Sequence, residues 1–226
     1  MKAATRLVIV LSMATATWAT TCTQTGFVRD SINMTAALIN PAGVVSGEVN
    51  ATGCNIGVYY NAGSGKVSHA NIHGANYFGV VVNGDDAAVA VDVLNSTIYD
   101  IGESPLNGDQ HGIGIYYRGF GSGSATGKIG GNTLSNYQKG GIVVNGAGST
   151  ANVANNIVQG QGRGDYIGQN GIQIGYGASA QVMSNTVTGN AYTGLNCASS
   201  CGIIAVGGPR RRLHHGNPDR GEYGRQ

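Results

Sequence analysis

The chain has 226 residues and a formal net charge of +2, room for one sizeable domain or two small ones. Its 39 glycines follow no every-third-residue period, which excludes a collagen-like fibre, and charged residues are only 11%, under half of the roughly 25% usual in globular domains. Val plus Ile number 38 against 8 Leu and 3 Glu, which excludes an all-α protein, while a 41% hydrophobic content can fill a core and excludes disorder.

Residues 1–19 open with Lys2 and Arg6, run apolar from Leu7 to Ala19, and offer Ala14, Ala16 and Ala19 to a signal peptidase. This segment reads as a signal peptide, because thirteen residues broken by Thr, Ser and Ala are too short and polar to span a bilayer. No later segment is long and apolar enough to do so either. The expected location is secreted or otherwise extracytoplasmic. Four cysteines then fit two disulfides, Cys22 with Cys54 and Cys197 with Cys201, and neither spacing matches the clustered pairs of a zinc site. Asn33, Asn50 and Asn95 begin glycosylation sequons. Residues 26–40 hold the longest helix-like pattern, and 26–43 are expected to form a short N-terminal helical cap.

Residues 20–208 are read as one domain, dominated from residue 44 by a repeat. A Gly followed by alternating apolar residues recurs at Gly57, Gly79, Gly112, Gly141, Gly171 and Gly202, at intervals of 22, 33, 29, 30 and 31 residues. Between these glycines stand paired apolar anchors: Val67/Ile72, Val93/Ile98, Ile129/Leu134, Val153/Val158 and Val182/Val187. Asn132, Asn156 and Asn185 occupy one fixed place between anchors. Segments this short cannot bury an apolar face alone, whereas stacking puts like residue on like residue and closes a continuous interior. The first and third residues after each Gly form the inward row. Asn61, Asn83 and Asn145 mark tight corners where Asn tolerates left-handed backbone.

The pattern V-x-x-N-x-I, polar loop, G-I-x-V resembles the coil of right-handed parallel β-helix proteins, the pectate-lyase-like superfamily, over roughly residues 44–208. The resemblance implies an all-β, right-handed parallel β-helix (solenoid) of about five coils. The rival antiparallel sandwich needs frequent two-residue hairpins, which a spacing near 30 does not supply.

Solenoids place function on loops that lengthen on one face. Three long loops, 99–111, 159–170 and 188–201, alternate with short ones and should project together. They hold Asp100, Glu103, Asp109, His111, Arg163 and Asp165, six ionisable residues in a chain poor in them. Asp100, Asp109, His111, Arg163 and Asp165 are the candidate catalytic residues. Glu103, Arg118, Tyr166 and Tyr192 are the candidate substrate-binding residues. In inverting glycoside hydrolysis the paired carboxyls stand roughly 6.5–9.5 Å apart. With layers roughly 4.8 Å apart, Asp109 and Asp165 would lie near the top of that window. A lyase would instead use Arg163 or Arg118 as base beside a carboxylate that Ca²⁺ neutralises. Simple binding would stack Tyr166 and Tyr192 on sugar rings.

Gly84-Asp85-Asp86 and Gln110-His111-Gly112 look like the second and third elements of the polygalacturonase set N-T-D, D-D, G-H-G and R-I-K. The first and fourth elements are missing, and Gln110 replaces a Gly. The structural alternatives are a loop-edge His111, exposed His69 and His73, a Glu103–Arg163 surface ion pair, and an Asp85 that serves only its turn. Residues 119–127 lack the features of a phosphate-binding loop. Residues 209–226 hold 5 of the 13 Lys+Arg and interrupt the repeat, so they read as a non-native or truncated tail, and outside them nothing supports nucleic-acid binding. The expected protein is an exported monomer acting on or binding polysaccharide or a cell-surface glycan, as a polysaccharide lyase, a glycoside hydrolase or an inactive relative. The alternative is a non-catalytic surface, adhesin or structural module. Ca²⁺ is the one cofactor considered.

Overall fold

The computed structural model describes residues 21–195 and 200–207, so the signal peptide, Cys197 and the tail 209–226 lie outside the described residues. Among the described residues eighteen strands follow one another: β1 (Thr23–Arg29), β2 (Ile32–Ile39), β3 (Val44–Asn50), β4 (Ile56–Tyr60), β5 (Gly63–His73), β6 (Phe78–Asn83), β7 (Ala88–Leu94), β8 (Thr97–Tyr99) and β9 (Ile113–Arg118). Then come β10 (Ser124–Gly130), β11 (Thr133–Ser135), β12 (Gly140–Asn145), β13 (Ser149–Ala154), β14 (Ile157–Gly164), β15 (Asn170–Gly175), β16 (Ser179–Met183), β17 (Thr186–Tyr192) and β18 (Cys201–Val206). Among the described residues there is no helix, and so none long and apolar enough to cross a membrane.

One sheet has eight strands in the order β1-β2-β4-β6-β9-β12-β15-β18, and the other has ten. The long β5 joins the two halves of the second sheet, pairing with β7 through Gly63–Ser68 and with β8 through Asn71–His73. Every pairing is parallel except that of β1 with β2. The anchors stack as the repeat requires. Val45, Val67, Val93, Ile129, Val153 and Val182 pair in sequence, as do Val49, Ile72, Ile98, Leu134, Val158 and Val187. Most of these side chains belong to one buried cluster, and each fully buried Val or Ile stabilises the fold by about 1.5–3 kcal/mol.

The stacked glycines have a steric cause. A Cβ on Gly57, Gly79, Gly141 or Gly171 would come within 2.6 Å of the carbonyl oxygen of the next glycine and within 2.7 Å of an anchor methyl, that of Ile72, Ile98, Val158 or Val187. The third member is Gly114, packed on Leu134, and not Gly112. Hence Ile115 and Tyr117 point inward and Ile113 outward, one two-residue step from the expected row. The run Gly112-Ile-Gly-Ile offers two glycines of equal parity, and spacing cannot choose between them.

Three further expectations are corrected. Residues 26–43 form no helical cap: β1 and β2 make an antiparallel hairpin whose two turn residues, Asp30 and Ser31, both have positive φ (52° and 64°), as a type I′ turn demands. The first repeat begins with β2, so seven parallel strands line the first sheet, more than five coils would supply. The left-handed corners are not at Asn61, Asn83 and Asn145. They stack at His69, Asn95, Gly131, Asn155 and Ser184, one residue before the buried Asn row. The Cys22–Cys54 disulfide is formed and ties the start of the hairpin to the residues before β4.

Candidate functional site

The three long loops do meet. Gly164 of β14 pairs with Tyr192 of β17, Thr193 N–H donates to Gly164 O (2.8 Å), and a Cβ on Gly108 would stand 3.1 Å from Tyr166 O. The fully buried Gln138 fixes loop 99–111. Its Oε1 accepts the N–H groups of Glu103 and Asn107 (3.1 Å each), while its Nε2 donates to Asn107 Oδ1 (2.9 Å) and Asp109 O (2.8 Å).

Within that loop the ionisable groups face local partners. His111 is buried, stacks on Tyr77 (centroids 3.9 Å apart) and donates from Nε2 to Glu103 Oε1 (2.8 Å). Glu103 also accepts from Asn76 Nδ2 (3.3 Å), so it forms no ion pair with Arg163. Burial, with Asp30, Glu103 and Asp109 nearby, raises the Tyr77 hydroxyl pKa. Asp109 is exposed and accepts from Asn107 Nδ2 (2.9 Å) in its own turn. Asp100 sits at a left-handed corner and accepts from Asn136. Arg163 and Asp165 are exposed at the end of β14. His73 is not a free surface residue: it bonds Glu48 (2.6 Å) and stacks on Tyr99, whereas His69 is exposed.

A second feature lies on the outward face of the first sheet. The hairpin of β1 and β2 folds across this face. Phe27 stacks on Tyr59 and tilts against Phe78, and Arg29 lies over the Phe78 ring. Past the hairpin the face opens into a groove of about 370 Å³ over β9, β12 and β15. Its floor is Ile113, Tyr116, Val143, Asn145, Asn170 and Gln173. Three cations border it: Arg29 from the hairpin, Arg118 at the end of β9 and Lys139 just before β12. Phe120 and Tyr176 close the side where the strands end, and Gln110 reaches in from the long loop.

These cations differ in their partners. Arg118 forms an ion pair with Asp85, which also accepts the Phe120 N–H (2.8 Å), and its guanidinium lies between the rings of Phe27 (4.6 Å) and Phe120 (5.4 Å). Arg29 is 3.6 Å from Asp30. Lys139 Nζ donates to Gly168 O (2.8 Å), and burial lowers its pKa, because the charged form is partly stripped of water. A half-buried ammonium whose partner here is one carbonyl is suited to receive an anion.

Of the candidate catalytic and substrate-binding residues, Arg118 lines the groove, and the others lie on the long loops. Asp85 and His111 do not converge as the polygalacturonase-like pattern would need. Asp85 is held by Arg118 at one end of β9 and His111 precedes the other, so the intervening strand alone spans roughly 17 Å. Among the described residues no three His, Cys, Asp or Glu side chains gather, so Ca²⁺ finds no carboxylate cluster. Lys139, Arg29, Phe120 and Tyr176 were missed. None of the four stands in a row of the repeat: Phe120, Lys139 and Tyr176 flank the Gly-led strands, and Arg29 belongs to the hairpin before them. No protein family, curated protein or solved structure matches the chain.

Proposed function

We propose that this chain is an exported right-handed parallel β-helix, similar to the pectate-lyase-like superfamily, that binds acidic extracellular polysaccharide in the groove over β9, β12 and β15. Parallel strands 22–36 residues apart in sequence require crossover connections, and such crossovers are right-handed in about 98% of cases. The Cys22–Cys54 disulfide suits an oxidising compartment and supports export. The observation that carries the binding reading is the set Arg29, Arg118 and Lys139 around a floor of Tyr116, Asn145, Asn170 and Gln173. Cations select carboxylates or sulfates, amides meet hydroxyls, and aromatic rings meet sugar faces. The test is retention of the full chain on immobilised polygalacturonate, with a neutral glucan as control. Salt-sensitive retention on the acidic polymer alone supports the reading, and equal behaviour on both polymers overturns it.

Lys139 favours a second reading, a polysaccharide lyase. A lysine whose pKa burial lowers can take the proton beside a uronate carboxylate. The C–H pair forms the new C=C bond, the C–O bond on the neighbouring carbon breaks, and the departing oxygen takes a proton from water. Ultraviolet absorbance of the unsaturated product would report it, and Lys139→Gln should abolish that signal. A hydrolase, for which Asp109 and Asp165 were the expected pair, is less well supported, because among the described residues no Asp or Glu lines the groove.

A further inference from the structure

The groove's end wall carries a feature that its charges do not explain. Tyr176 and Phe120 are 53% and 52% exposed, and they adjoin, their centroids 6.1 Å apart at an interplanar angle of 52°. Tyr176 has φ = 55°, a left-handed backbone that bulky side chains avoid, although Gly occupies both neighbouring positions. Its equivalents in the neighbouring layers, Gly146 and Gly207, are also left-handed (φ 93° and 61°), so Tyr176 places a bulky ring at a corner where the repeat otherwise uses Gly. The ring is also supported from below: a Cβ on Gly207 would come within 3.0 Å of its Cδ1. Across from it, Phe120 is fixed by the Arg118 guanidinium and by the hydrogen bond from its own N–H to Asp85.

We infer that Phe120 and Tyr176 form a stacking platform for a pyranose ring, a subsite continuous with the cationic groove. The two half-exposed rings, inclined at 52° to each other, offer adjoining apolar surface, which suits a sugar displaying several C–H bonds on one side. Asn145 and Gln173, joined by a 3.1 Å hydrogen bond, stand beside the platform and can meet the equatorial hydroxyls at the ring's edge. Ligand specificity is therefore double: charge at Arg29, Arg118 and Lys139, ring shape at Phe120 and Tyr176. This assignment rests on the glycan-binding reading above.

The platform is tested by titrating the full chain with oligogalacturonides and with neutral gluco- and mannooligosaccharides, in wild type and in Tyr176→Asn and Phe120→Leu variants. Asn tolerates left-handed backbone, so Tyr176→Asn removes the ring without adding strain. The expected result is roughly a tenfold loss of affinity in each variant, with the melting temperature of Tyr176→Asn equal to or above that of wild type. Saturation transfer to the ring C–H protons of the bound sugar should fade in parallel. Wild-type affinity in Tyr176→Asn overturns the platform, as does an affinity loss matched by a fall in melting temperature. Platform-dependent binding of neutral sugars alone keeps the platform and overturns the acidic ligand, whereas binding of no pyranose at all overturns both.

Discussion

Asn156 accepts on its side-chain oxygen both the backbone N–H and the amide N–H of Asn132, at 3.0 Å each. Asn185 does the same for Asn156, at 3.0 and 2.8 Å. Ser96 begins the row by donating its N–H to Asn132 Oδ1, and each Asn also donates to a backbone carbonyl: Val93, Ile129 and Val153 in turn. All of these side chains are buried, so the row meets the polar demands of a corner that water cannot reach. A buried amide carries two donors and one acceptor, which suits it to link the layer before to the layer after.

Asn156→Leu should therefore destabilise the protein by about 2–4 kcal/mol, since it leaves the buried Asn132 backbone N–H and one of its amide hydrogens without an acceptor and takes a donor from the Ile129 carbonyl, while the Asn185 oxygen keeps only the backbone N–H of residue 156. Urea unfolding measures this through a lower midpoint at unchanged slope. A loss below about 0.5 kcal/mol would mean that the row is ornamental.

The Asn row was legible because three asparagines recur at one place between anchors, and a polar residue in an apolar repeat must have repeating partners. The anchors were legible for the same reason. What failed was local ambiguity and long-range contact. Gly112 and Gly114 have equal parity, and only the clash with the Leu134 methyl assigns the stack to Gly114. Asp30-Ser31 lacks the usual Gly of a type I′ turn, so the hairpin passed for a helix. The groove was hidden because its wall is Arg29, carried there by a segment that folds back over β4 and β6. Nothing in a repeat foretells which outward face a non-repeating segment will cover.

Gln138 is expected to control the long loop. Gln138→Leu keeps the buried volume but removes the acceptor for Glu103 N–H and Asn107 N–H and the donor to Asp109 O. Hydrogen exchange in residues 103–111 should quicken by roughly tenfold or more, with the strand cores little changed. Unchanged exchange would show that the His111–Glu103 contact alone holds the loop.

Alkali should unfold the protein cooperatively. Burial raises the hydroxyl pKa of Tyr59, Tyr60, Tyr116, Tyr117 and Tyr137, that of Tyr60 to about 12. The unfolded chain loses these protons near pH 10, while the native state keeps them. Stability is thus intact below pH 10 and falls as pH rises toward 12, at about 1.4 kcal/mol per pH unit for each tyrosine whose ionisation is suppressed. Melting temperature against pH, read together with tyrosinate absorbance, should show these five tyrosines ionising only as the protein unfolds. Ionisation of these five well before unfolding would contradict their burial.

Anion binding through Lys139 carries its own pH signature. The ammonium must be charged to hold a carboxylate, and burial lowers its pKa below the ordinary lysine value. Affinity for polygalacturonate should be full while the ammonium keeps its proton. It should fall as pH rises through that lowered pKa, before an ordinary lysine would titrate. Lys139→Arg, which stays charged across this range, should flatten the profile, and Lys139→Gln should weaken binding at every pH. Both variants retain a donor for the Gly168 carbonyl, so folding is preserved and the comparison isolates charge. If the Lys139→Arg profile bends at the same pH as wild type, the titrating group lies elsewhere, and Lys139 does not hold the ligand's charge.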